Sequence, residues 1–138
     1  MNIEILKLRR RAFYNSIVSI YCPALGDTVF FTSNGFNHLL YKKNRRPRTI
    51  DEQYLKLMCL PHAPRVIRES KEFKARNTTK EIKGKKKSVI QYGLVSEIAK
   101  DTEMRVVLEK IGTGKVEFVS VMPNNKRSRN KKRPRGRS

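Results

Sequence analysis

The stretch "EMRVVLEKIGTGKVEFVSVMP", residues 103–123, carries the clearest sign of the fold. Two runs rich in valine and other β-forming residues flank a turn that contains two glycines, and this pattern predicts a β-hairpin. Side chains alternate between the two faces of a strand. The second run would therefore place on one face Val116, Phe118, Ser120 and Met122.

Upstream of the hairpin, residues 87–99 form another β-rich run, and residues 71–87 would supply either a further strand pair or a mobile loop. The first half of the chain reads as helical, with one strand at "TVFFTS" (28–33) and a helix over residues 34–43. Thr49 and Glu52 form a capping-box pattern that opens a helix, and Pro61 ends it. Helices followed by an antiparallel meander predict an α+β fold.

The N-terminal segment has the spacing of an amphipathic basic helix, with Ile3, Leu6, Phe13 and Ile17 on its apolar side. We interpret it as a helix docked on the core, the alternative being an anchor at a membrane surface. No stretch reaches about 18 consecutive apolar residues, which excludes a membrane-spanning helix. The segment also lacks the pattern of a signal peptide. Together with two cysteines that have no disulfide-framework spacing, this favours a cytoplasmic protein with reduced thiols.

Positive charge dominates the composition of this chain of 138 residues, which fits one main domain. The 32 Lys and Arg against 12 Asp and Glu give a net charge of +20, which favours a nucleic-acid partner. The last 15 residues, "NNKRSRNKKRPRGRS", contain eight basic residues and predict a disordered tail. Subtracting those eight charges from +20 leaves +12 on residues 1–123. We therefore divide the chain into an N-terminal basic helix (1–27), an α+β domain (28–123) and a basic tail (124–138).

Metal and cofactor sites find little support in the sequence. Cys59 and His62 form a C-x-x-H pair, but a structural zinc site needs four ligands at matched spacing. The "GTGK" of residues 112–115 lacks the earlier glycine of a phosphate-binding loop and joins two predicted strands. We expect neither a bound metal nor a cofactor.

His38 lies on the predicted helix directly ahead of the basic run "KKNRRPR", residues 42–48. Metal-independent cleavage of RNA needs a base for the 2′-OH, an acid for the 5′-oxygen and cations for the phosphorane. Histidine suits either proton-transfer role, and arginine matches phosphate oxygens. The same residues also fit a helix histidine beside a loop that binds phosphate without catalysis. Phosphate contacts are expected from Lys42, Lys43, Arg45, Arg46 and Arg48.

Four segments together resemble a known group of nucleases: "VFFTSNGFNHLLYKK", "DEQYLKLMCLPHAPRVI", "VIQYGLVSEI" and "MRVVLEKIGTGKVEFVSVMP". They are similar to the phage-associated nuclease domains grouped with barnase, EndoU, colicin-type ribonucleases and RelE-type toxins. The motifs are a Gly35-x-x-His38 at the strand-to-helix junction, a downstream arginine and a closing F-x-S-V strand. The resemblance covers residues 28–123. It implies N-terminal helices packed on a four- to five-stranded antiparallel sheet.

The same resemblance implies metal-independent RNA cleavage on the sheet. His38 would be the acid or base, Arg45 or Arg46 the phosphate clamp, and Ser120 would orient the phosphate or a catalytic group. Tyr92 and Lys115 are further candidates, because RelE-like members use tyrosine and basic residues in place of a histidine pair. A complementary proton-transfer residue is not identified, and Glu97 is a candidate that also fits a surface carboxylate. Added RNA affinity is expected from the tail residues Arg127, Arg129, Lys131, Lys132 and Arg133.

Two functions remain open at this point. The first is a metal-independent ribonuclease, a toxin or effector encoded by a phage or other mobile element, with RNA as substrate and an acidic antitoxin or immunity protein as partner. The second is a non-catalytic RNA- or DNA-binding protein with the same basic domain and tail.

Overall fold

A computed structural model describes residues 2–124 of the chain. Within them lie four α-helices and six strands, and a 3-10 turn at Leu60–His62 joins α3 to α4. The predicted α+β class is confirmed. Residues 125–138, which include the predicted RNA contacts of the basic tail, lie outside the described residues. In chain order the elements are α1 (Ile3–Ser16), β1 (Ser19–Cys22), β2 (Asp27–Phe30), α2 (Ser33–Leu40), α3 (Ile50–Cys59), α4 (Ala63–Glu69), β3 (Lys74–Ile82), β4 (Lys85–Ala99), β5 (Thr102–Ile111) and β6 (Val116–Pro123).

The strands of the described residues form one mixed sheet in the order β1-β2-β6-β5-β4-β3. All neighbouring pairs are antiparallel except β2 and β6, which run parallel. The prediction of four to five antiparallel strands was therefore wrong in number and in one pairing. Strand β1 was missed because its four residues follow directly on a segment with helical spacing. Of the two interpretations of residues 71–87, the strand pair is the one formed, by β3 and the start of β4.

The core lies between the helices and one face of the sheet. On β5 the buried residues alternate, with Val106 and Leu108 fully buried, and they join one apolar cluster with residues from all four helices. Leu6 and Tyr14 of α1 belong to this cluster, which confirms the prediction that the N-terminal helix docks on the core. The opposite face carries Arg105, Val107, Glu109 and Ile111 of β5, which are half-buried or exposed. We call it the open face.

Strand β6 does not keep the simple alternation that its sequence predicts. Val116 and Phe118 are buried as expected, and Phe118 pairs with Leu108. The next pair joins Val107 to Ser120, so that Val119 is skipped as in a β-bulge. Beyond this irregularity Val121 is fully buried and Met122 is not, because an extra residue exchanges the two faces. The predicted face was therefore wrong for Met122.

A glycine at position 35 allows helix α2 to approach β6 closely. A methyl group on Gly35 would overlap the Tyr14 hydroxyl and lie 2.5 Å from the Phe118 carbonyl oxygen. The helix ends at Leu40 instead of the predicted residue 43, because Tyr41 pairs with Pro47 across a short loop. The capping box predicted for α3 is present. Among the described residues, no helix is long and apolar enough to cross a membrane.

Candidate functional site

His38 lines a groove of about 270 Å³ between α2, the end of β3 and the β5–β6 hairpin. We call it the His38 groove. Helix α2 contributes the imidazole from its exposed side, since Leu39 and Leu40 are directed into the core. The polar residues that line the groove are Asn34, His38, Lys80, Glu109, Lys115 and Glu117.

An ion pair between β3 and β5 forms part of this groove. The Lys80 Nζ lies 2.9 and 2.7 Å from the two carboxylate oxygens of Glu109. The Glu109 side chain is 11% exposed and that of Lys80 is 30% exposed, so the pair is partly removed from water. A bidentate contact of this kind fixes both side chains in one geometry. Strand β4 lies between the two strands, so only the folded sheet brings these residues together.

The surroundings of His38 lower the pKa of its imidazole below the ordinary value. Burial is the largest cause, because it disfavours the charged form. The Glu109 carboxylate acts in the opposite direction, and the positive charges of Lys80, Arg48 and Lys43 lower the pKa further. The imidazole is therefore neutral at pH 7 and able to accept a proton.

The basic run predicted to accompany His38 folds into a tight loop beside it. The backbone N–H of Lys42 donates to the Arg46 carbonyl at 2.8 Å, and Arg45 has a positive φ of 66°. This basic loop, residues 42–46, borders a second groove of about 510 Å³ that also reaches His38. Lys42, Lys43 and Arg45 line it, whereas Arg46 is exposed but is not part of the lining. The structure thus brings His38 and the basic run together.

Arg48 has a positioning contact in addition to its charge. Its Nε donates to the His38 carbonyl oxygen at 2.9 Å, and its backbone N–H donates to the Leu40 carbonyl at 2.9 Å. The Arg48 carbonyl in turn accepts from Nε2 of the buried Gln53 at 2.9 Å. Arg48 therefore links the last turn of α2 to α3 and holds the backbone of His38 in place.

Glu117 and Lys115 lie on the β6 side of the His38 groove. Thr32 Oγ1 donates to Glu117 Oε1 at 2.9 Å, and the Thr32 carbonyl accepts from the Tyr14 hydroxyl at 2.5 Å. Burial and the charge of Glu117 raise the pKa of Tyr14, which stays a hydroxyl donor. Lys115 is exposed, and its Nζ lies 4.4 Å from the centre of the Phe30 ring. It can turn toward a bound phosphate at the cost of a cation–π contact.

Three residues from the sequence analysis lie elsewhere. Ser120 is buried and accepts a hydrogen bond from Lys56 Nζ at 2.8 Å. The Tyr92 ring packs edge-to-face on Phe73, with 5.5 Å between ring centres, and against the core. Glu97 is exposed and pairs with Glu103 near the far end of the β4–β5 hairpin. None of the three lines the His38 groove.

Four residues of the groove were not predicted from the sequence: Asn34, Lys80, Glu109 and Glu117. Glu109 and Glu117 occur in strands where single carboxylates are common on the solvent side, so their type alone is uninformative. The register of the predicted hairpin could have identified two of them, because it pairs Glu109 directly with Glu117.

Within residues 2–124, no group of three or more His, Cys, Asp or Glu side chains is arranged to hold a metal ion. Cys59 is buried, and burial raises the pKa of its thiol. Comparison with models of known protein families, with curated proteins and with solved structures found no match. The chemistry of the site therefore rests on its own geometry.

Proposed function

We propose that this protein is a metal-independent endoribonuclease that cleaves RNA by transesterification through the 2′-OH. The observation that supports this most strongly is the neutral, half-buried His38 in one groove with the Lys80–Glu109 ion pair and beside the basic loop. A proton acceptor, a fixed cation and several phosphate-binding side chains are the parts that this reaction needs.

In the proposed reaction His38 accepts the proton of the 2′-OH. The 2′-oxygen then attacks the adjacent phosphorus, and the bond from phosphorus to the 5′-oxygen breaks. The products are a 2′,3′-cyclic phosphate and a free 5′-OH. Lys42, Lys43 and Arg45 of the basic loop neutralise the phosphate as charge develops on it.

Lys80 is the candidate donor of the proton to the leaving 5′-oxygen. It lines the same groove as the imidazole, and its positive charge contributes to lowering the pKa of His38. Glu109 acts as a positioning residue for Lys80 through its two oxygens. This assignment replaces Glu97 as the complementary residue, because Glu97 does not line the groove.

The test is cleavage of a 5′-labelled mixed-sequence RNA in buffer containing EDTA, because the labelled fragment then carries the new 3′ end. We expect the wild type to leave 2′,3′-cyclic phosphate ends, and His38→Ala to lower kcat/KM by about 10²- to 10⁴-fold, the usual range for a proton-transfer residue. His62→Ala is the matched control, since His62 lies in the turn after α3 and outside both grooves.

A non-catalytic RNA-binding protein is the second candidate function. Arg48 and Lys80 favour it, because both side chains already donate hydrogen bonds to protein acceptors. Such contacts stabilise the fold and do not require a catalytic role. Intact RNA after incubation with the wild type, shifted equally in a gel by wild type and His38→Ala, would contradict the ribonuclease and favour this candidate.

An inhibitor of this site is expected to be an acidic protein. The grooves are bordered by Lys42, Lys43, Arg45 and Lys115, and complementary charge accelerates association. A toxin or effector of a mobile element acting on cytoplasmic RNA would need such a partner in the cell that makes it.

A further inference from the structure

A third groove, of about 190 Å³, lies on β3, β4 and β5. Its lining includes Lys74 and Arg76 of β3, Gln91 and Gly93 of β4, and Arg105 of β5. We call it the Arg105 groove. Among the described residues that line it, three are cations and none is a carboxylate.

The Arg105 groove and the His38 groove lie on the same open face. Along β5, Arg105 and Val107 belong to the first groove and Glu109 and Ile111 to the second. These four alternate with the buried Val106 and Leu108, so they point to one side of the sheet. Same-face neighbours on a strand are about 6.8 Å apart, which places Arg105 and Glu109 about 13–14 Å apart along β5. A single strand of a few nucleotides would span that distance.

Arg105 is accommodated by the absence of a side chain on β4. A Cβ on Gly93 would lie 3.4 Å from Nη2 of Arg105, so the guanidinium extends across the strand at this glycine. Arg76 is also oriented, because its Nη2 donates to Gln91 Oε1 at 3.0 Å. Two partly oriented guanidinium groups next to Lys74 match the oxygens of a phosphodiester.

We propose that the Arg105 groove binds a second phosphodiester of the same RNA strand whose cleavage site lies in the His38 groove. The proposal rests on the proposed ribonuclease function and adds to it a direction, with the substrate running along β5. The groove would act through the sugar–phosphate backbone, and so would contribute affinity without base preference.

The experiment compares Arg76→Gln plus Arg105→Gln with a control that loses the same charge, Arg9→Gln plus Arg68→Gln. Arg9 on α1 and Arg68 on α4 are exposed and lie on helices that pack against the other face. Each protein is assayed on a dinucleotide, which fills only the His38 groove, and on an RNA of roughly ten nucleotides. Binding without cleavage is measured on the same RNA with a 2′-deoxy sugar at each cleavable position.

We expect the groove variant to raise KM for the longer RNA by about tenfold while the kinetics on the dinucleotide stay unchanged. The slope of log K against log salt should fall in magnitude by about 1.4, as for two lost contacts to a single strand. The control variant should change KM for the longer RNA and the salt slope only by the small amount expected from a lower total charge. Arg76→Lys plus Arg105→Lys, which keeps the charges, should recover most of the affinity and excludes a folding defect.

Equal KM values for the groove variant and the control on the longer RNA would overturn the inference and leave the ribonuclease intact. Loss of dinucleotide cleavage in the groove variant would also overturn it, because the groove would then belong to the reaction centre. If the wild type binds the uncleavable RNA but cuts nothing, the ribonuclease fails. The groove is then judged by the binding data alone. Selective competition by an acidic peptide at this groove, without loss of RNA affinity in the variant, would assign it to a protein partner instead.

Discussion

His38 shows how one side chain acquires a defined protonation state from its neighbours. Burial and three nearby cations favour the neutral imidazole, and Glu109 opposes them. The Glu109 charge is compensated by Lys80, which lies on both of its oxygens. The balance therefore favours the neutral form, and the pKa of His38 lies below its ordinary value.

The pH dependence of the proposed cleavage follows from this balance. If neutral His38 is the base, kcat/KM falls on the acidic side as pH drops through its lowered pKa, so the acidic midpoint lies below the ordinary pKa of histidine. Lys80→Met removes a positive charge and leaves Glu109 uncompensated, which raises the pKa of His38. The acidic midpoint of the rate profile should then move to higher pH. The maximum rate should also fall, because the proposed proton donor is lost.

Lys100→Met is the control for this profile, because Lys100 is exposed in the β4–β5 turn and should leave the midpoint unchanged. A rate that increases as pH falls through the same range would contradict the assignment and make His38 the acid.

At the level of elements, a hydrogen bond between the side chains of Lys56 and Ser120 joins α3 to β6. Lys56 is half-buried, and burial together with Arg48 lowers its pKa. The Lys56–Ser120 hydrogen bond offsets part of the cost of removing the ammonium from water. Ser120 therefore serves the packing of α3, in contrast to the phosphate contact implied by the nuclease resemblance.

Ser120→Ala tests this structural role. Removing the acceptor of Lys56 should lower the free energy of unfolding by about 1–2 kcal/mol, and Ser120→Ala plus Lys56→Met should restore it, because no charge is then left without that acceptor. Both variants should keep the kcat of the wild type. Urea unfolding measures the stability, with Ser88→Ala, an exposed serine on β4, as control. A kcat lowered by Ser120→Ala at unchanged stability would return Ser120 to the reaction.

At the scale of the whole molecule, part of the positive charge lies outside the residues that form the grooves. Eight of the basic residues lie after residue 124, outside the described part of the chain, and the grooves are formed by residues 34–119. Long-range attraction depends on the total charge, whereas the proposed proton transfer would depend on His38 and its contacts.

Ending the chain after Asn124 should therefore weaken binding of long RNA and reduce its salt dependence. The reason is that fewer counterions are released when fewer phosphates are contacted. Cleavage of a dinucleotide should keep its kcat, and Asn124 itself should stay in place because it bonds to Glu103. Filter binding at several salt concentrations and dinucleotide kinetics measure the two effects. A lost dinucleotide kcat with native stability would place tail residues at the reaction centre.

Local patterns predicted much of this architecture. The capping box of Thr49 and Glu52, the glycine turn before Lys115 and the loop after His38 each depend on a few adjacent residues, and each is visible in the chain itself. The association of Lys80 with Glu109 depends on the order of the strands in the sheet, which no short stretch of sequence contains. The predicted face of Met122 was wrong for a related reason. The irregularity at Val119 arises from the pairing of β6 with β5, which the sequence of β6 alone does not show.

The parallel pairing of β2 with β6 has a consequence for the order of synthesis. Val29 and Phe30 pair with Val116 and Glu117, so the segment that leads into His38 acquires its neighbour only after most of the chain has been made. A growing chain still lacking β6 has neither the surface on which α2 packs nor the carboxylate that receives Thr32. Such long-range closure makes folding late. If the protein is the proposed ribonuclease, this order would keep a nascent chain from cutting the message and ribosome that are producing it.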